Sequence, residues 1–206
     1  MNATTQCASP AAKRAVSGIK AEHRALARIL GAMQLWVAHY RDAASPTDLA
    51  LFEAMLRYIE EVPDRLHHPR EDAVLFPAVA AHECGRELVT ELEREHAYGT
   101  PMLNELRRAY EALRQRAPNA LNQLSSAVDE FAEFYWLHMR KEEQQLLPLA
   151  EDLLSAEQWE RVESAFCNES DPLFGAAKSE KYRMLYRYIS SHTQGPLKGF
   201  IENAAP

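Results

Sequence analysis

The sequence predicts an all-α protein, an up-down-up-down four-helix bundle with kinked helices and a C-terminal helical extension. Three observations point there. Apolar residues recur at spacings of three and four along most of the chain, the period of a helix with one buried face. Glycine is scarce, at 7 of 206 residues, and no alternation of apolar and polar residues runs long enough to make a strand. Polar, proline-bearing clusters divide the periodic stretches into four long segments with short connections, which favours antiparallel neighbours.

The first helix is expected over about 11–40, with Ile19, Leu26, Ile29, Leu30, Met33 and Val37 as its apolar stripe. The stretch RDAASPTD breaks it. Ser45 or Thr47 can cap the next helix, with Pro46 at a start position that needs no backbone donor. The second helix covers about 47–82 and turns Phe52, Leu56, Ile59, Leu75, Phe76 and Val79 inward. Pro63, Pro69 and Pro77 lie inside it, and each removes a hydrogen bond and crowds the preceding turn, so a kink or break is expected near 63–70. The third helix, about 85–116, carries Leu92, Leu103, Leu106 and Tyr110, and Gly99 with Pro101 predicts another kink. After a turn at Pro118 the fourth, about 119–153, carries Leu124, Val128, Phe131 and Leu146. These helices form one domain, 12–153. Residues 154–206 form the extension: Ser155-Ala-Glu-Gln158 is a capping-box pattern that starts a short helix to about 167, and 178–191 can form a last one.

Composition bounds the function. A net charge of −7 without an evident basic face argues against nucleic acid and anionic membranes as partners. No stretch of about 18 apolar residues exists to span a membrane. The stretch MNATTQCASPAAKRAVSGIK has no apolar core followed by a cleavage site, so no signal peptide is expected. Cys7, Cys84 and Cys167 are odd in number and lack metal or redox spacing, which leaves no disulfide framework and makes a reducing cytoplasm the expected location.

Two stretches carry the chemistry. HHPREDAVLFPAV contains His67-x-x-x-Glu71-x-x-x-Leu75-Phe76-Pro77, and HMRKEEQQLLPLA contains His138-x-x-x-Glu142-x-x-x-Leu146-Leu147-Pro148. His, Glu, Leu and Pro fall at the same offsets. Glu22-His23 precedes the first copy and Glu95-His96 the second, at nearly equal distances, so a helical hairpin is repeated. Residues four apart share a helix face, so each His and Glu can grip one metal centre in the bundle interior. Two facing hairpins present His23, His67, Glu71, His96, His138 and Glu142 as metal ligands. Four imidazoles, two bridging carboxylates and a bridging oxo or hydroxo group leave roughly one open position on each of two six-coordinate ions. Imidazole and carboxylate without thiolate suit two iron ions ahead of manganese or zinc. A repeat kept for packing alone would preserve apolar positions rather than His and Glu. Within the first copy His68 and Asp72 form a rival pair, but the alignment to Leu75 and Pro77 favours His67 and Glu71. His39 lies about 160° from His23 on an ideal helix, and His82 and His192 are expected at the surface. Glu22 and Glu95 are expected to be solvated, and Tyr135 to be a core tyrosine or a donor near the site.

This residue set resembles the hemerythrin-like family, the HHE cation-binding domain, over about 12–153, and SAEQWERVESAFCNESDPLFG resembles the tails of its bacterial single-domain members. The resemblance implies a non-haem di-iron site in a four-helix bundle. Oxygen carriers of the family have a fifth histidine on the third helix, four residues past the position of His96. Thr100 stands there in this chain, which argues against reversible oxygen carriage. The set of four histidines and two glutamates is similar to that of members that repair iron–sulfur centres. Those often carry an N-terminal cysteine-containing module, where this chain has Cys7 alone. The expected function is binding of, or reaction with, O2, NO or peroxide in a sensing, storage or stress-response role. Two further readings stand beside it: an enzyme with peroxidase-like, catalase-like or cluster-repair activity, and a metal-gated module for a partner protein. Neither a catalytic base nor the oligomeric state is legible in the sequence.

Overall fold

The computed structural model describes residues 9–39 and 46–167, and every regular element among them is helical. Helix α1 spans Pro10–His39 and α2 spans Pro46–Glu61. The second arm then continues in short pieces: a π-helical turn at Pro63–His67, α3 at His68–Arg70, a second π-helical turn at Glu71–Leu75, and α4 at Phe76–Ala80. A 3-10 turn at Glu83–Gly85 leads into α5, Arg86–Arg114. Helix α6 spans Ala120–Lys141 and passes through a third π-helical turn, Glu142–Leu146, into α7, Leu147–Leu153. Helix α8 covers Ala156–Cys167. The expected helix at 178–191, Cys7 and His192 lie outside the described residues.

The break expected near 63–70 takes the form of widened turns. The backbone bonds reach back five residues instead of four: His67 N–H donates to the Val62 carbonyl at 2.9 Å, and the Phe76 and Leu147 N–H groups donate to Glu71 and Glu142. The prolines account for where this happens. A proline ring crowds the carbonyl four residues before it. For Pro69, Pro77 and Pro148 those residues are Arg65, Ala73 and Gln144, each the middle of one π-helical turn. Proline alone is not sufficient, because α5 runs through Gly99 and Pro101 as an uninterrupted α-helix where a kink was expected.

The apolar interior is divided. A larger cluster joins the C-terminal half of α1 to α2 and to the adjoining parts of α5 and α6, with Phe52, Tyr110 and Phe131 fully buried. A smaller one joins the start of α1 to α4, the start of α5, α7 and α8. Along α1 the boundary falls between Ile19 and Ala25, along the second arm between Val62 and Leu75, along α5 between Leu92 and Leu103, and along α6 and its continuation between Met139 and Leu146. Helix α8 belongs to the smaller cluster through Trp159, Val162 and Phe166. Its start is a reciprocal cap, with Ser155 N–H donating to Gln158 Oε1 at 2.8 Å and Gln158 N–H donating to Ser155 Oγ at 3.2 Å.

Candidate metal centre

Between the two apolar clusters lies a layer of polar side chains. Glu22, His23, His67, His68, Glu71, His138 and Glu142 are the buried polar or charged residues among those described, and Glu71 and Glu142 have no exposed surface at all. The His96 side chain completes the layer at 7% exposure. Isolated ionisable groups are not retained in such a place without compensation.

The outer edge of this layer compensates them in a repeated pattern. His67 Nδ1–H donates to Glu22 at 2.6 Å, and His138 Nδ1–H donates to Glu95 at 2.9 Å. His96 Nδ1–H donates to Asp72 at 2.8 Å, and His23 Nδ1–H donates to Glu143 at 3.0 Å. Each carboxylate precedes a site histidine or follows a site glutamate, so the four pairs are related by the hairpin repeat. Glu22 and Glu95 therefore turn from their neighbours His23 and His96 to the histidine across the hairpin, where solvated side chains were expected. Arg70 donates to Glu22 at 3.3 Å, and Lys141 donates to both Glu95 and Glu91. An ionised carboxylate only accepts, so it fixes the proton on Nδ1 and turns the other nitrogen, Nε2, inward.

What faces inward is an excess of lone pairs. Both oxygens of Glu71, both of Glu142, and Nε2 of His96 and of His138 are buried without a hydrogen-bond partner among the described residues. They approach one another closely: His138 Nε2 lies 3.2 Å from Glu142, His67 Nε2 3.5 Å from Glu71, and His96 Nε2 3.6 Å from Glu71 and 3.7 Å from Glu142. His23 Nε2 and His67 Nε2 are 3.1 Å apart. Separations of about 3 Å are those of neighbouring ligands around an ion with bonds of about 2.1 Å. Burial, and then the charge of Glu142, pushes the Glu71 carboxyl well above its usual range. Burial opposes ionisation of Glu142 too, but the charge of His138 and the close approach of the His138, His23 and His96 imidazoles together outweigh it and hold that carboxyl well below. Burial likewise lowers His138, yet Glu142 and Glu95 raise it to about 9. Burial and the neighbouring imidazolium charges hold His67 and His68 well below the usual histidine value. Without a cation, then, these groups settle by sharing protons unequally. The donor set fits hard or borderline cations that take nitrogen and oxygen together.

The sequence profile of the hemerythrin HHE cation-binding domain matches residues 14–150. The chain belongs to that family. No curated protein and no solved structure matches it significantly.

Within this HHE domain the structure brings all six sequence-predicted residues into one layer. Two groups have one ligand atom from each member within 4.8 Å of the others: His23, His67, Glu71 and Glu142, and His68, His96 and His138. His68 is the residue that sequence reasoning set aside in favour of His67, yet the two lie side by side. The ring of His68 is stacked on His96 at 4.1 Å, and His96 is stacked on Phe76 at 5.1 Å. Tyr135 lies parallel to His68 at 5.8 Å, and its hydroxyl donates to Asp64 at 3.4 Å. Gly99 makes room for that hydroxyl, since a Cβ there would sit 2.5 Å from it. Phe166 of α8 meets His67 edge-on at 5.8 Å. Thr100 is exposed, His82 is half-buried in the bend before the 3-10 turn, and Cys84 is free and exposed. Among the described residues no helix is long and apolar enough to cross a membrane.

Proposed function

We propose that this chain holds two metal ions, iron ahead of manganese or zinc, in the interior of its HHE domain, and that it binds or reacts with O2, NO or peroxide there. His23 and His67 hold one ion, His96 and His138 the other, and Glu71 and Glu142 bridge them. The observation that carries this reading is the convergence of six buried, unsatisfied ligand atoms from Glu71, Glu142, His96 and His138 in one layer. Groups so placed weaken a fold unless a cation takes them up.

When bound, a pair of redox-active iron ions supplies open coordination positions and electrons to a small oxidant. The residues of the chain do the rest. Glu22, Asp72, Glu95 and Glu143 keep the proton on the outward nitrogen of their histidines and leave the inward lone pairs available. Phe76, Phe166 and the two apolar clusters exclude bulk water, which favours a small uncharged ligand over a polar metabolite. A sensing, storage or stress-response role in the cytoplasm is the setting that suits such a site.

Elemental analysis of protein purified without a metal-binding tag tests the proposal. About two iron ions per chain is the expected result. Less than half an ion per chain, after anaerobic reconstitution with ferrous iron, overturns it.

A further inference from the structure

His68 has no counterpart in the second hairpin. Met139 occupies the equivalent position and packs in the larger apolar cluster. The backbone differs there as well. In the first hairpin a π-helical turn, Pro63–His67, comes just before His68, whereas α6 runs to Lys141 with no widened turn ahead of His138. In an α-helix neighbouring residues diverge by about 100°. A wider turn takes a smaller angular step, and π-helical turns often mark functional sites. Here His67 and His68, adjacent in sequence, both enter the polar layer, buried to 4% and 6% exposure.

Resting on the two-ion reading above, we propose that His68 is a fifth histidine ligand, shared with His96 and His138 on one ion, while His23 and His67 hold the other. Three observations support it. The ligand atoms of His68, His96 and His138 cluster within 4.8 Å. The His68 ring is fixed between His96 and Tyr135 in a nearly parallel stack, with interplanar angles of 20° and 8°, so its in-plane nitrogens are aimed rather than free to swing. Its Nδ1 also has a carboxylate nearby, Asp64 at 3.9 Å, farther off than the 2.6–3.0 Å hydrogen-bond partners of the other four imidazoles. Thr100 on α5 is exposed, and that helix offers no further histidine to this ion. The two ions are then unequal. Three imidazoles with the shared carboxylates would leave less room for an exogenous ligand on the His68 side than beside His23 and His67.

Proton NMR of the cobalt(II)-substituted full-length chain tests this directly. Each bound imidazole contributes one strongly shifted ring N–H signal that disappears in D2O. Five such signals are expected for the unaltered chain and four for His68→Phe, which keeps the stacked ring and removes the donor. His68→Gln gives four as well. Four signals in the unaltered chain, with two cobalt ions bound, overturn the role of His68 and leave the two-ion reading standing. A chain that takes up no cobalt and no iron overturns both.

Discussion

Glu22 is 3% exposed and accepts from His67 and Arg70 at once. Its counterpart Glu95 is held by Lys141, and the hydrogen bond from His138 helps keep its carboxyl ionised against the cost of burial. Such partners orient a ligand histidine and raise its basicity. Glu22→Gln is therefore expected to weaken metal binding by roughly 10- to 100-fold while two ions still bind at saturation, as read by competition with a chelator. Unchanged affinity would mean that Glu22 serves only the pair with Arg70. The proton balance gives a second expectation. In the metal-free chain His138 is raised to about 9. It therefore contributes stability that is present below the ordinary histidine value and is lost as pH rises through about 9. Metal requires the lone pair, so loading expels that proton. Apparent metal affinity is expected to weaken as pH falls below about 9, by up to about tenfold per unit for this one group. Affinity independent of pH between 7 and 9 would contradict it.

The three widened turns share a cause and a result at the level of the helix. Each is centred on the residue four before a proline, and His67, Glu71 and Glu142 lie at their ends. Because the shift belongs to the backbone, relaxing one turn should rotate a ligand without melting the helix. Pro148→Ala is expected to keep the helical content, measured by circular dichroism, while lowering metal affinity at least tenfold. Intact affinity would show that packing around Leu146 and Leu147, both buried, holds the turn open by itself. The exposed proline of α5 supports the view that proline permits the widening and the buried neighbours complete it.

Across the whole molecule, the polar layer divides the apolar core, so stability and metal occupancy are tied together. Anything bound only by the folded state stabilises it by about 4 kcal/mol when free at about 1,000 times its Kd. For a chain of this size that corresponds to a rise in Tm of roughly 8–16 °C. Removing metal with a chelator is expected to lower Tm by that order. Glu71→Leu separates the two effects. It should lower metal content below half while raising the Tm of the metal-free chain, because burial already penalises the Glu71 charge. A metal-free variant less stable than the metal-free parent would sink this account. Helix α8 takes part at this scale too, since Phe166 rests on His67 and Arg70 lies over its ring.

The linear sequence was enough for the all-α class, the repeated hairpin, the reciprocal cap at Ser155 and the grouping of His23, His67, Glu71, His96, His138 and Glu142. All of these depend on periodicity and offsets along one chain. The roles of Glu22 and Glu95 were not readable, because each binds a histidine on another helix, and spacing within a helix says nothing about what lies opposite. His68 was set aside because the alignment of the two copies at Leu75 and Pro77 selects His67 and Glu71, and an offset along one helix does not tell whether the neighbouring residue also turns inward. Folding brought both into the layer. The widened turn changes the angle between neighbours, and its position depends on proline, buried leucines and a facing helix acting together. Local patterns record which residues share a face, whereas the pairing of faces and the departures from ideal helical pitch arise only when the helices pack.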